Sequence, residues 1–357
     1  MSTRGGTIAA RSRSREMSTR TVVHPTIGPI AAMTAFLGRS SLRKPATLRA
    51  IRIGPSRLRH FILPEGTLAE MRKVRVGVVG CGWFGRAHAR VYRTLAGVEL
   101  VAVSDIDLQL ARSVAEGYGI EAYGSAREMV ERADLDAVSV VVTPQKLVEA
   151  ATEVLEAGAH ALVEKPVATS LSELEALRSA ASKAGALVVP GFIELFNPGY
   201  RLLKRLVQEG ELGDLYVVSG KRIGRSPKRQ VKWEIGVSLD LGVHEAYVQL
   251  DLLNEDPESV WAFRRSVLGN EAEDVALYIM EYPSGVVGVI EANWLTPISY
   301  RAVRVSGSRG SAELDYLRQT VILDRSDRSS ILRARWSEPL AEELSYFVNH
   351  VREGREP

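Results

Sequence analysis

Residues 73–88, KVRVGVVGCGWFGRAH, decide the fold. Val74, Val76, Val78 and Val79 form an apolar run that reads as a buried strand over 74–79. The run stops at Gly80-Cys81-Gly82-Trp83-Phe84-Gly85, and Arg86 to Leu95 reads as a helix. A strand that enters a glycine turn and leaves as a helix aims free helix N–H groups at whatever occupies the turn. Those donors, with the positive end of the helix dipole, favour a pyrophosphate. Gly80 permits the tight turn, Gly82 lets the backbone approach the phosphates, and Gly85 lets helix and strand pack closely.

A lone GxGxxG is a weak signal, because glycine-rich turns also serve purely structural roles. Here the next strand, 99–103, ends at Ser104-Asp105. Asp105 lies about 20 residues beyond the last glycine, where a carboxylate accepts from the ribose 2′-OH of NAD. Strand, turn, helix and acidic residue together predict a dinucleotide site.

The chain has 357 residues, enough for two domains, and the apolar and charged fractions of an ordinary globular protein. Cys81 is the only cysteine, which excludes an intrachain disulfide or a cysteine-rich metal site and agrees with a cytoplasmic setting. No apolar run reaches the roughly 18 residues of a membrane span. Of the net charge of +3, residues 1–70 carry +9, from twelve Lys/Arg against three acids, and the remainder carries −6. The basic character belongs to the extension, so a nucleic-acid partner finds no support in the remainder. The extension, rich in Ser, Thr, Arg, Gly and Pro, reads as a targeting peptide, as a basic disordered arm, or as a misassigned start. We favour the last, with translation beginning at Met71 just before the first strand.

From Met71 to residue 190 strands and helices alternate, which predicts a doubly wound parallel sheet of the Rossmann type. Strands are expected at 74–79, 99–103, 137–142, 160–163 and 186–190. Helices are expected at 86–95, 107–117, 126–131, 146–157 and 171–184. Over 191–357 the texture changes. A helix at 198–209, a strand at 215–223 and a helix at 239–253 precede successive strands at 258–267, 273–282, 285–294, 300–306, 311–316 and 319–324. Pro283-Ser284-Gly285 reads as a hairpin turn, and a helix covers 339–351. This part predicts an α+β substrate and oligomerisation domain with one open, mostly antiparallel sheet.

Two elements carry chemistry. Leu162-Val163-Glu164-Lys165-Pro166 ends a strand of the parallel sheet, whose carboxyl ends border the ligand crevice. Lys165 there either binds a substrate hydroxyl or gives up a proton, unless it is simply a surface lysine at a strand end. Asp240 and His244 lie four apart in GVSLDLGVHE and are neighbours on one helix face. A carboxylate beside an imidazole fixes its tautomer and raises its basicity, as a general base needs. The alternative is an exposed polar pair, although the apolar, glycine-rich neighbours are poor surface composition. D-x-x-x-H alone lacks the third protein ligand of a catalytic zinc site, so no metal is expected.

The glycine turn, Asp105, Thr143-Pro144, Glu164-Lys165-Pro166 and Asp240-x-x-x-His244 occur in an order that resembles the Gfo/Idh/MocA oxidoreductase family, from about Met71 to the C-terminus. The resemblance implies a Rossmann domain, a second domain with an open sheet, homo-oligomers (dimer or tetramer) and NAD. It assigns cofactor binding to Gly80, Gly82, Trp83, Phe84, Gly85, Asp105, Thr143, Pro144, Glu164 and Lys165. It implies that Lys165 and His244 contact the reacting sugar hydroxyl, that Asp240 supports them, and that Pro166 follows a cis bond. Within the family, Gly191-Phe192-Ile193-Glu194-Leu195-Phe196-Asn197-Pro198 and Asn293-Trp294-Leu295-Thr296-Pro297 with Arg301 are similar to UDP-N-acetylglucosamine 3-dehydrogenase-like members. Phe192 and Leu195 replace that subgroup's usual His and Arg, Val148 replaces a frequent His, and Glu245 replaces an Asp. Family members continue past the last helix, so the frame reads as C-terminally truncated.

The expectation is thus an NAD-dependent dehydrogenase of a sugar or nucleotide sugar. His244 takes the hydroxyl proton and Lys165 stabilises charge on oxygen. In the alternative assignment Lys165 is the base and His244 binds sugar. Rival readings are an inositol or free-sugar dehydrogenase, and a catalytically silent NAD-binding regulator.

Overall fold

A computed structural model describes residues 72–225, 235–269 and 271–354. The expectations for residues 1–70 and for a start at Met71 lie outside the described residues. The first sheet alternates strand and helix in the order β1 (Val74–Val79), α1 (Trp83–Tyr92), β2 (Val98–Ser104), α2 (Leu108–Tyr118), β3 (Glu121–Tyr123) and α3 (Ala126–Ala133). β4 (Ala137–Val140), α4 (Leu147–Glu156), β5 (His160–Glu164), α5 (Leu171–Ala184) and β6 (Val188–Gly191) complete it. All pairings are parallel and the strand order is β3-β2-β1-β4-β5-β6. The order reverses between β1 and β4, the switch point where such sheets bind ligands beyond their carboxyl ends. Asp107, Ser125 and Ser170 each cap a helix by accepting from backbone N–H groups of its first turn.

The second part contains α6 (Pro198–Gln208), β7 (Leu215–Arg225), α7 (Val243–Leu253), β8 (Ser259–Arg265), β9 (Val275–Glu281) and β10 (Val287–Asn293). β11 (Leu295–Gly307), β12 (Gly310–Asp315), β13 (Thr320–Asp324), β14 (Ser329–Arg333) and α8 (Pro339–Glu353) follow. Its eight-stranded sheet has the order β14-β13-β12-β11-β7-β10-β9-β8. Every pairing is antiparallel except β7 with β10, between which the chain runs through α7, β8 and β9. Among the described residues no helix is long and apolar enough to cross a membrane.

Several boundaries differ from the sequence expectations. Helix α1 begins at Trp83, not Arg86, because Gly82 is already its extended N-cap and Arg86 N–H donates to the Gly82 carbonyl at 3.0 Å. The turn therefore shrinks to Gly80-Cys81-Gly82. Strands β3 and β14 went unread, being three and five residues long with weak alternation. The helix expected at 239–253 is interrupted: Ser238–Gly242 is a π-turn and α7 starts only at Val243. Helix α8 returns to the first sheet, where Leu340, Leu344, Phe347 and Val348 pack in one apolar cluster with Val74, Val76 and Tyr92.

Candidate active site

The glycine turn lies at the switch point. Gly80 sits at φ +98°, and a Cβ there would run into the Val141 carbonyl at the exit of β4. A Cβ on Gly85 would collide with the Gly80 carbonyl, so this residue sets the approach of α1 to the turn. A Cβ on Gly82 meets nothing within 4 Å. The start of α1 therefore faces open space with no side chain capping it and no acidic residue in its first turn. Open space over uncapped N–H donors fits a dinucleotide pyrophosphate. Trp83 is 80% exposed at the mouth, while Phe84 turns its ring edge-on to His88 at 4.9 Å.

At the end of β2, Asp105 accepts from Cys81 N–H at 2.7 Å and from Asp107 N–H at 2.9 Å. Two of its acceptor sites brace the turn and the others remain for a ribose hydroxyl. Burial, with Asp105 beside it, pushes the Cys81 thiol up to about 12, so this buried cysteine is no nucleophile. Thr143 and Pro144 open a single 3₁₀ turn just beyond β4, at the same sheet edge.

Glu164 closes β5. One carboxylate oxygen accepts from Lys165 N–H at 3.0 Å and the other lies 3.3 Å from His88 Nε2. The Lys165–Pro166 peptide is cis. Lys165 Nζ donates to the Asp240 main-chain oxygen at 2.8 Å and to Asp240 Oδ1 at 2.9 Å. Trp294 Nε1 donates to the other Asp240 oxygen at 3.2 Å.

The expected Asp240–His244 pair is not what the structure contains. The wider π-turn changes the spacing of the two residues on the helix, and the carboxylate serves Lys165 instead. His244 Nδ1 meets the Tyr247 hydroxyl at 2.7 Å. That hydroxyl accepts from Glu194 N–H at 3.2 Å, and Phe192 stacks on the Tyr247 ring at 4.4 Å. Burial, reinforced by the positive charges of Arg222, Lys165 and Arg301, holds His244 well below the usual imidazole range. The ring is therefore neutral.

Beneath it lies a charge cluster that the sequence did not reveal. Arg222 is buried in β7 and donates to Glu245 at 2.8 Å and to Glu194 at 2.9 Å. Burial opposes its charge, but the two carboxylates more than offset this and hold the guanidinium above its ordinary value. Tyr316 donates to Glu245 at 3.3 Å, and Arg301 lies 4.0 Å from Glu194. Glu245 thus reaches Arg222 rather than the reacting centre, and Phe192 props Tyr247. The one signal was a charged residue at an inward position of a half-buried strand. Among the described residues no three His, Cys, Asp or Glu side chains are grouped to hold a metal ion.

A nucleotide cradle at the switch point, with a lysine at the end of β5 ion-paired to a carboxylate of the second domain, defines a dinucleotide-dependent oxidoreductase. The chain belongs to the Gfo/Idh/MocA oxidoreductases. The family model described as an oxidoreductase family with an NAD-binding Rossmann fold matches residues 74–192, and its C-terminal domain model matches residues 200–313. The chain is 26% identical to myo-inositol 2-dehydrogenase of Thermotoga maritima over 300 residues, covering 80% of this chain and 90% of that one. It is 29% identical to scyllo-inositol 2-dehydrogenase (NAD(+)) of Bacillus subtilis over 301 residues, covering 80% and 88%. UDP-N-acetylglucosamine 3-dehydrogenase of Acidithiobacillus ferrooxidans is similar in structure, with TM-score 0.72 and 25% identity, covering 80% and 91%. The protein is an NAD-dependent dehydrogenase acting on a CH–OH group.

Proposed function

We propose that the protein oxidises a secondary alcohol of a sugar or nucleotide sugar, of the UDP-N-acetylglucosamine kind. The observation that carries this reading is the ion pair of Lys165, at the end of β5, with Asp240, close enough to the buried His244 for the lysine charge to act on its imidazole. Two polar groups from different domains then attend one hydroxyl oxygen and hold its carbon over the nucleotide site, which is where orientation lowers the barrier. Bound NAD supplies the hydride acceptor; the chain supplies position, the proton site and the electrostatics. Asp240 fixes the lysine, Trp294 fixes Asp240, and Glu164 holds the Lys165 backbone.

A second reading, inositol as substrate, is favoured by the inositol dehydrogenases of Thermotoga maritima and Bacillus subtilis that match most of this chain. A panel of UDP-sugars, inositols and free hexoses, followed by NADH absorbance, separates the two. UDP-sugars should turn over with the highest kcat/KM; preference for an inositol selects the second reading. Turnover of none of them, with NAD bound, removes both.

The same reading includes a cytoplasmic enzyme that assembles as a homodimer or homotetramer through the outer face of the large sheet. Trp261 lies opposite Ile279, and Phe263 opposite Leu277, with all four side chains exposed. Contiguous apolar surface of this kind marks an interface.

A further inference from the structure

Tyr247 decides what His244 offers to the substrate. Its phenol has one proton to donate and two lone pairs with which to accept. The backbone N–H of Glu194, at 3.2 Å, can only donate, so the phenol oxygen is the acceptor in that contact. Among the described residues its other hydrogen-bond contact is His244 Nδ1, at 2.7 Å. We propose that Tyr247 is a positioning residue that fixes the tautomer of His244: its hydroxyl donates to Nδ1, so the ring carries its proton on Nε2 and presents an N–H to the substrate.

The opposite arrangement would have Nδ1–H donate to the phenol. The oxygen would then accept twice, and its own proton would face no acceptor among the described residues in a fully buried position. A buried donor left unsatisfied costs about 1–3 kcal/mol. Phe192 stacked on the phenol ring removes the freedom to turn away. Burial holds the phenol well above its ordinary value, so it keeps the proton it donates. His244 keeps a single N–H because burial and the facing Arg222, Lys165 and Arg301 disfavour its cation, with Glu194 and Glu245 already engaged by Arg222 and Asp240 by Lys165.

An imidazole protonated on Nε2 cannot take a proton there. The acceptor must be Lys165, whose hydrogen bonds suit the task. To accept a proton, Lys165 first releases one to solvent; the amine so formed keeps two N–H bonds, which the two contacts to Asp240 use, and gains one lone pair. The lone pair is left for the substrate hydroxyl. In the oxidation the O–H proton passes to Lys165 Nζ, which becomes an ammonium. The carbinol hydrogen leaves with its electron pair as hydride to the cofactor, and the C–O bond becomes C=O. His244 Nε2–H donates to that oxygen throughout. This assignment deepens the sugar-dehydrogenase reading, and its mechanistic half rests on that reading.

Two measurements test it separately. Long-range ¹H–¹⁵N correlation of the full chain, labelled with ¹⁵N-histidine, reports the tautomer without any substrate; the His244→Gln variant identifies the resonances. We expect a protonated Nε2 and a bare Nδ1 in the wild type, and loss of that single tautomer in Tyr247→Phe. Kinetics on the best substrate of the panel supply the second. A glutamine amide can donate but cannot act as a base, so His244→Gln should exceed His244→Ala by about tenfold in kcat, the factor one retained hydrogen bond carries. It should also keep the wild-type pH profile, whereas Lys165→Ala loses the acid limb. A wild-type ring protonated on Nδ1, or a glutamine variant no faster than the alanine one, overturns the proposal. Failure of every substrate in the panel would instead sink the sugar reading and leave the tautomer measurement standing.

Discussion

Lys165, at the end of a strand in the nucleotide-binding sheet, is joined twice to Asp240 in the second domain: once through the main-chain oxygen and once through the carboxylate. The two contacts close the seam between domains at the proposed active site and leave one direction of the Lys165 nitrogen for a substrate. Asp240→Asn keeps the main-chain contact and removes the charged one. A hydrogen bond to a charged group is worth about 1.5–3 kcal/mol, so kcat should fall by roughly 10–100-fold. KM for the cofactor should stay unchanged. Equal losses in NAD affinity and in kcat would show that Asp240 serves the fold of the cradle rather than Lys165.

The glycines of the turn should separate folding from binding. Gly85→Ala drives a methyl group into the Gly80 carbonyl, an overpacking that costs about 1–3 kcal/mol or more. Thermal melting should show it as a lowered Tm. Gly82→Ala meets open space, and its backbone suits any residue. That variant should melt like the wild type yet lose NAD affinity, because its methyl group stands where phosphate oxygens must lie. Unchanged NAD titration in Gly82→Ala would refute the placement of the pyrophosphate.

Asp105 should set cofactor choice. Its carboxylate faces a ribose 2′-OH favourably and a 2′-phosphate unfavourably, so kcat/KM should favour NAD over NADP. Because Asp105 also accepts from two backbone N–H groups of the turn region, Asp105→Ser should do two things at once. The NAD:NADP ratio should fall, by about tenfold for each 1.4 kcal/mol of repulsion relieved. Affinity for both cofactors should weaken as the turn loosens. A wild-type enzyme that prefers NADP would overturn the role of Asp105.

The strand, turn and helix of the nucleotide-binding fold were legible because each rests on local sequence. The valine run of β1, the glycine turn and Asp105 are contiguous or evenly spaced, and Lys165 follows a short apolar run. What was misread depended on through-space geometry. Asp240 was paired with His244 because ordinary helical spacing places them together, whereas the π-turn at Ser238–Gly242 sends the carboxylate across the seam. Tyr247 carried no sequence signal, since nothing local says that a phenol will meet an imidazole one turn away. The Glu194–Arg222–Glu245 cluster joins a 3₁₀ turn, a strand and a helix, and only the fold brings both carboxylates within 3 Å of the Arg222 guanidinium.

The exposed apolar pairs on β8 and β9 should govern assembly. Phe263 and Leu277 stand opposite each other on the outer face of the sheet, so Phe263→Lys with Leu277→Lys places two like charges there without touching the inner face. Sedimentation should show an oligomer for the wild type and a monomer for the double variant, with an unchanged circular dichroism spectrum. A monomeric wild type would assign this face to some other role.

Glu343 should make stability depend on pH in an unusual direction. It projects from α8 into the interior and is fully buried, and among the described residues neither of its oxygens has a hydrogen-bond partner. Burial pushes its carboxyl well above the ordinary value of 4.5, and the nearby carboxylates Glu164 and Glu194 add to the shift. The consequence follows from proton counting. Below 4.5 both folded and unfolded chains hold the proton, and folding is indifferent to pH at this site. Above it the unfolded chain ionises while the folded one keeps its proton, so the folded state binds more protons and stability falls as pH rises towards the folded value. Glu343→Gln keeps the shape and cannot ionise. The variant should therefore match the wild type near pH 4 and become progressively more stable relative to it as pH rises. Its Tm should gain about 2–4 °C for each kcal/mol regained. A Tm difference that stays constant across the pH range would mean that Glu343 is ionised in the fold and held by a partner, contrary to its buried, unpaired position.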